Sequence, residues 1–429
     1  MNSRRVVITG MGMVAPLGLT VEENWRNILA GKSGISPIRR FDARTFPTTF
    51  AAQVPDFDLG DYCDRPEEFA KSPCNVRFAV AAARQAYDHS GLQPGDVRGE
   101  RLGVYLASGE GPMDFPAFVK SLAAACTDGA IDLAAYAREG LRNYDAIVEL
   151  EQQPGRSAAH LARLYGALGP NCNILTACAA STQAIGESLM VVRRGDVDVM
   201  ITGGTHSMIH PLGVMGFNLL TAIATEPRDR PEKASCPFDR KRSGFVLGEG
   251  SSILILEALD HARARGATIH AEIVGYGSSA DAYRMTDIHP EGRGPLACLQ
   301  AAIADAGISA DDIDYVNAHG TSTQENDKIE TLTMKLFFGD RAPKVPISSI
   351  KSSVGHLIAA AGATELIACV LAIRDQMLPP TINYEDPDEG LDLDYVPNQA
   401  RPAKVETALS ESFGFGGQNN ALVVRRFGP

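Results

Sequence analysis

The sequence predicts an α/β protein made of two copies of one strand–helix unit. Short apolar runs of strand length alternate along the chain with stretches of 3.6-residue period, the pattern of strands covered by helices. At 429 residues the chain suits two fused halves better than one simple core. Four echoes then recur in the same order in both halves, one of them the strand-like run before each elbow, the signature of an internal repeat. Val6-Val-Ile-Thr-Gly-Met-Gly12 matches Ala271-Glu-Ile-Val-Gly-Tyr-Gly277. Cys178-Ala-Ala-Ser-Thr-Gln183 matches His319-Gly-Thr-Ser-Thr-Gln324, each after a strand-like run. Gly244–Gly250, read as a first glycine hairpin before Ile253–Leu256, matches Ser412–Gly417, before Ala421–Val424. The repeat places a cysteine in one copy and a histidine at the matching place in the other. The boundary falls near Gly266, giving halves of 1–266 and 267–429.

In chain order, Val6–Gly12 reads as a buried strand ending in a glycine turn. Gly10 and Gly12 open a dinucleotide fingerprint, but Ala15 stands where its third glycine belongs, so a turn is the stronger reading. Val21–Ala30 is a helix carrying the only tryptophan, Trp25, and Asp42–Asp64 is irregular. A helix over Asn75–Ser90, closed by Gly91, precedes a strand at Gly103–Ser108. Met113–Ala159 is a long helical elaboration, of the kind that caps a pocket or makes a dimer contact. A short buried strand leads to Cys178, and a helix runs from there to Arg193-Arg194 and Gly195. Val197–Gly203 is a strand and Leu256–Gly266 a helix. The second half opens on a strand, Ala271–Gly277, followed by a polar loop, Asp281–Asp287. A helix at Leu296–Gly307 and a strand at Ile313–Ala318 lead to the His319 elbow. Ser348–Leu357 precedes an alanine-rich helix, Ala359–Ile373, and the chain closes with a glycine hairpin at Ser412–Gly417.

Composition narrows the functional classes. Hydrophobic residues make up 45% and charged residues 21%, ordinary for a soluble globular chain. No apolar run reaches membrane-span length, so no membrane partner is expected. The N-terminus lacks a signal-peptide core, and eight scattered cysteines without a CxxC pair argue for a reducing, cytoplasmic setting and against a structural metal. A net charge of −12 argues against nucleic acid.

Cys178 sits at a strand-to-helix junction, where unpaired N–H groups and the helix dipole favour thiolate over thiol. Taken alone, such a cysteine is more often a small core residue. Two histidines and a lysine, His319, His356 and Lys351, complete a set suited to acyl transfer through a thioester. The histidines are placed to hold a carbonyl as it becomes an enolate. Lys351 lies among apolar and serine neighbours and calls for a partner, for which Glu365 is the candidate. Phe413-Gly-Phe-Gly-Gly417 offers a flexible hairpin, with Phe415 as a gate and as a source of an oxyanion-holding N–H. Thr321 and Thr323 are either turn residues or anchors for a flexible amide arm. Asp327 and Glu330 read as surface carboxylates at a helix start, and His206, His210 and His289 as structural.

Four motifs, Thr176-Ala-Cys-Ala179, Val316–Thr323, Lys351-Ser-Ser-Val-Gly-His356 and Ser412–Gly417, together resemble those of the β-ketoacyl-acyl-carrier-protein synthases. The likeness is to their KAS II-like members and the ketosynthase subunits of type II polyketide systems. It covers nearly the whole chain. It implies a thiolase fold, with duplicated βαβαβαββ halves in a five-layer αβαβα sandwich, and a homodimer or a heterodimer with a ketosynthase-like subunit. It implies Cys178 as acyl nucleophile, His319 and His356 as the decarboxylation pair, Lys351 with Glu365 as an ordering ion pair, and Phe415 as gate, with Phe413 beside the substrate. Thr321, Thr323 and Thr286 would hold a phosphopantetheine arm, so the substrates arrive on an acyl carrier protein and no separate cofactor is needed. The reaction expected is decarboxylative condensation of the Cys178-bound acyl group with malonyl carrier. The alternatives are a transacylase or a non-catalytic chain-length subunit. Two departures favour specialised polyketide or polyene-type synthesis over housekeeping fatty-acid elongation. Glu110 stands where an apolar residue floors the fatty-acyl pocket, and Gln324-Glu-Asn-Asp327 follows the polyketide pattern. The basic surface for an acidic carrier is thin around Arg65–Arg77, with Arg228, Arg230 and Arg284 as further contributors.

Overall fold

The computed structural model describes residues 4–109 and 111–428, and Glu110 lies outside the described residues. Ten strands define the frame. The first half contributes β1 (Val6–Val14), β2 (Leu102–Ser108), β3 (Asn171–Ile174), β4 (Val199–His206) and β5 (Gly250–Ala258). The second contributes β6 (Ala271–Ala280), β7 (Tyr315–Asn317), β8 (Ile347–Ser348), β9 (Thr407–Gly414) and β10 (Gln418–Arg425). In space the first half runs β1-β5-β4-β2-β3 and the second β6-β10-β9-β7-β8. Counted within each half, both orders are 1-5-4-2-3. In both, the first two pairings are antiparallel and the last two parallel. The echoes predict a duplication, and the repeated unit is the βαβαβαββ half that the resemblance implies. The halves join where Val6–Ile8 of β1 pair with Ala271–Ile273 of β6.

The helices fall into three layers. Helix α1 (Cys74–Ser90) packs on β1, β4 and β5, and α3 (Arg293–Ala306) on β6 and β10. Between the sheets, α2 (Ala180–Arg194) and α5 (Ala361–Asp375) touch each other and strands of both halves. Helix α5 is buried over all but its last turn, which accounts for its unbroken run of apolar and small residues. Helix α4 (Gln324–Phe338) lies beside α3 in the outer layer of the second half. The result is the five-layer αβαβα sandwich.

The glycine pairs opening each half do not turn the chain. β1 runs straight through Gly10 and Gly12 to Val14. A Cβ on Gly10 would lie 2.1 Å from the carbonyl of Ala86, and one on Gly12 2.0 Å from that of Ala82. Gly275 and Gly277 meet the carbonyls of Ala302 and Cys298 at 2.2 and 2.1 Å in the same way. The repeated glycines let a helix lie directly on the first strand of each half, and in each copy the register slips at the first glycine.

Three other expectations are corrected. The Leu256–Gly266 stretch is strand to Ala258 and helix only over Leu259–Ala264. Gly244–Gly250 is no hairpin. It runs extended against Ile223, Ala52 and His356 before entering β5, whereas Gly414–Gln418 does turn β9 into β10. The strand before Cys178 is not buried but is the edge of the sheet, with Asn171 and Cys172 exposed.

The fifth correction concerns the repeat itself. Cys178 follows the third strand of its half, and His319 the second strand of the other, so the two elbows are not counterparts. The true counterpart of the cysteine elbow is the entry to α5. Ala177, at φ +46°, opens a 3₁₀ turn (Ala177–Ala179) that feeds the 15-residue α2. Ile358, at φ +48°, opens another (Ile358–Ala360) that feeds the 15-residue α5. That register puts Ala359 opposite Cys178. The Ser-Thr-Gln echo is coincidence of sequence, not of position.

Candidate active site

The two central helices start side by side, and their entry turns touch. A Cβ on Gly204 would lie 2.6 Å from the carbonyl of Ala359 and 2.9 Å from Cβ of Ser181, so the glycine lets both starts crowd one strand end. Ser181 Oγ accepts from Ala363 N at 3.0 Å, and the Thr182 and Ser412 hydroxyls meet at 2.7 Å. The Cys178 elbow is therefore built on left-handed backbone at Ala177, held by packing on all sides. The Phe413–Gly417 hairpin closes over it. A Cβ on Gly414 would sit 3.0 Å from Thr176 O and 3.3 Å from Cys178 N, so glycine permits this approach.

Sγ of Cys178 and one ring nitrogen each of His319 and His356 lie within 4.8 Å of one another, all buried. They share a cavity of about 320 Å³ with Phe413, Phe415, Thr321, Thr323 and Thr286. Every candidate expected to face substrate, Glu110 apart, thus lines one space. Lys351 and Glu365 stand behind it, 2% and 1% exposed, as a hydrogen-bonded ion pair. Thr286 is exposed and sits at the mouth, in the loop whose Met285 carbonyl accepts from Gly416 N at 2.6 Å. The Thr321 and Thr323 hydroxyls bond each other at 2.9 Å. Phe415 is half-buried and packs on the apolar cluster that includes Phe245, Leu247 and Ile358.

The partners of the imidazoles assign their protons. The Lys351 ammonium, a donor only, is matched by three acceptors: Glu365 Oε1, the carbonyl of His319 at 2.6 Å and Nδ1 of His319 at 3.3 Å. Nδ1 of His356 accepts from Ile358 N at 3.3 Å. Both rings are therefore held as Nε2–H tautomers. Nε2 of His356 is buried with no partner among the described residues, a donor awaiting an acceptor. Burial, then the Lys351 charge, hold both imidazoles well below the usual histidine range, so they are neutral. The three groups have metal-like spacing, but two nitrogens that already carry protons are poor ligands. The set suits an oxyanion instead.

The cysteine overturns one expectation. Burial pushes the Cys178 thiol up to about 11, outweighing the pull of Lys351 and of the N–H groups of Phe415 and Cys178 itself. At neutral pH the free group is a thiol. The helix terminus supplies N–H groups at the sulfur without ionising it at rest.

Sequence reasoning missed the carboxylates behind the site. Glu330 is 1% exposed and clamps the His319 elbow, accepting from the N–H of His319 at 2.7 Å and of Gly320 at 2.8 Å. Asp327, wholly buried, accepts from Phe238 N at 2.8 Å. Neither is a surface residue. Glu411, also buried, is pushed well above the carboxylate range by burial and by Glu330, and so holds a proton. A signal was present: acidic residues at 327 and 330 fall one turn apart, on the same helix face as Thr331 and Met334, which are buried.

Known proteins match this frame from end to end. Residues 3–262 match the family described as β-ketoacyl synthase, N-terminal domain, and residues 270–385 its C-terminal domain. The 3-oxoacyl-[acyl-carrier-protein] synthase 2 of Coxiella burnetii is 46% identical over 426 residues, covering 99% of each chain. A type II polyketide ketosynthase solved with its acyl-carrier protein and bound to the hexaketide superposes at a TM-score of 0.85. It is 36% identical and covers 99% of this chain and 100% of that one. The ishigamide ketosynthase/chain length factor gives 0.87 at 34% identity with the same coverage. With the doubled 1-5-4-2-3 sheet, the cysteine at the head of a central helix and consecutive matches to both domains, the chain belongs to the β-ketoacyl synthase family.

Proposed function

We propose that the protein condenses an acyl group held on Cys178 with malonyl carrier protein, releasing CO₂ and a β-ketoacyl carrier. The observation that carries this reading is the convergence of one sulfur and one ring nitrogen from each of two buried imidazoles within 4.8 Å. In the first step Cys178 Sγ attacks the carrier thioester. The N–H groups of Cys178 and Phe415 hold the oxyanion, and the thiol proton leaves with the carrier's phosphopantetheine sulfur. In the second, the malonyl carboxylate departs as CO₂. The enolate oxygen accepts from Nε2–H of His319 and His356, and its carbon attacks the acyl-Cys178 carbonyl. The tetrahedral intermediate collapses, the thiolate leaves, and it takes a proton from solvent. Each N–H aimed at developing charge is worth roughly 3–4 kcal/mol. Lys351 and Glu365 fix the His319 tautomer. Phe415 gates entry, Phe413 walls the chamber, and Thr321, Thr323 and Thr286 line the path of the pantetheine arm.

A polyketide-type role is favoured over saturated-chain elongation. A second cavity of about 420 Å³ sets Arg40, Lys71, Gln152 and His210 among apolar residues such as Phe41, Met113, Val148 and Ile209, a mixed lining that suits a chain with polar groups along it. The partner subunit is expected at the edge strand β3, which is flanked in the chain by the exposed Leu168 (72%) and Leu175 (54%). Incubation with acyl carrier should place the acyl mass on the Cys178 peptide, and added malonyl carrier should release CO₂. Acylation without CO₂ release would favour a transacylase, and no acylation would favour a non-catalytic subunit.

A further inference from the structure

His206 has no role in the chemistry above, yet its surroundings are built. It is the last residue of β4 and is 5% exposed. Neither ring nitrogen has a hydrogen-bond partner among the described residues. A neutral imidazole carries one donor and one acceptor, and leaving such groups buried and unpaired costs about 1–3 kcal/mol each. Burial, aided by His210, holds its pKa near 4, so the ring is neutral. Gly109 makes room for it: a Cβ there would lie 2.7 Å from His206 Cε1 and 3.1 Å from Nδ1, with Leu175 Cδ1 next at 3.7 Å. The ring thus lies between the end of β2 and the segment leading to Cys178. Of the residues near it, His356, which couples to it electrostatically, lines the first cavity, and Ser207 and His210 line the second.

We propose that His206 is a specificity-determining residue that hydrogen-bonds an oxygen substituent, a ketone or hydroxyl, on the acyl chain carried by Cys178. The preferred acyl group is then oxygenated along its length and not fully saturated. This rests on the reading that Cys178 carries the acyl group. A saturated chain beside this ring strands both nitrogens, whereas a ketone takes the N–H and a hydroxyl takes either. Sites built around a buried hydrogen bond discriminate strongly against the analogue that lacks it.

The test offers the full-length protein equimolar pairs of carrier-bound acyl groups of equal length. Octanoyl competes with 5-oxooctanoyl, and octanoyl with 5-hydroxyoctanoyl and 3-hydroxyoctanoyl, and acyl-Cys178 is read by mass spectrometry. The expected result is a preference of at least tenfold for one oxygenated group. His206→Leu should abolish or reverse it, and His206→Gln, which keeps a donor and an acceptor, should retain most of it. The ratio is internal to each sample, so partial misfolding of a variant does not alter it, and the wild-type ratio decides if a variant is insoluble. Equal use of all four groups by the wild type, or a preference unmoved in His206→Leu, overturns the proposal and leaves Cys178 acylation standing. Failure of every group to appear on Cys178 overturns both.

Discussion

The resting state of Cys178 makes a quantitative prediction. With its pKa pushed to about 11, the thiolate fraction at pH 7 is about 1 in 10⁴, against roughly 3% for an unperturbed thiol of pKa 8.5. Alkylation by iodoacetamide follows the thiolate, so its rate at Cys178 should rise about tenfold per pH unit from 7 to 10 without levelling. Burial slows entry of the reagent but does so equally at every pH, so the slope survives even if the absolute rate is low. Cys126 is exposed and serves as an internal standard in the same digest. Timed alkylation with peptide mass spectrometry should find it modified well before Cys178 at pH 7. A rate at Cys178 that levels off below pH 8 would refute the reasoning, because it would show that the helix terminus and Lys351 outweigh burial.

Three further outcomes follow from the same geometry. His319→Ala or His356→Ala should each lower CO₂ release from malonyl carrier by about 10²–10³-fold while Cys178 still takes an acyl group, since each removes one enolate donor; equal loss of both steps in a kinetic assay would contradict the assignment. Glu365→Gln should cost about 3–5 kcal/mol in chemical denaturation, because it leaves the Lys351 charge buried without its counter-ion; an unchanged midpoint would mean that the pair is not needed. Gly277→Ala drives a Cβ to 2.1 Å from the Cys298 carbonyl and 2.6 Å from Ala302 N. Backbone cannot yield cheaply, so a loss of about 3 kcal/mol or insolubility is expected, and near-wild-type melting would show that α3 can lift off β6.

Much of this was legible in the sequence for a physical reason. Cys178, His319, Lys351, His356 and the Phe413–Gly417 hairpin each carry their chemistry in a few adjacent residues, and adjacency is what a sequence preserves. What was hidden depends on distance in space. Glu330 looks like any carboxylate in a first helical turn until the fold sets the His319 and Gly320 N–H groups against it. Gly10 and Gly277 look like turn residues because close helix packing and a tight turn both call for the absence of a Cβ. The Cys178–His319 echo misled because Ser-Thr-Gln repeats by chance, whereas the real repeat, a left-handed residue opening a 3₁₀ turn into a 15-residue helix, has no sequence likeness between Ala177-Cys-Ala179 and Ile358-Ala-Ala360.

The corrected register bears on how one fold supplies two anion sites. Two central helices begin side by side, and the positive ends of both dipoles face one cavity. One elbow keeps a cysteine at its head, and its twin carries Ala359 in that place, leaving room for a substrate. The histidines come from the approaches to the outer helix α4 and to that twin, and the hairpin adds the Phe415 N–H. In the proposed reaction negative charge is thus provided for at the thioester oxygen and at the enolate oxygen, while the resting thiol and the neutral imidazoles carry none. A site arranged in this way gains little from ground-state ions and most from the charge that appears during reaction, which is the condition for lowering a barrier and not merely tightening binding. The burial that raises the Cys178 pKa is therefore the same feature that makes its four N–H donors effective.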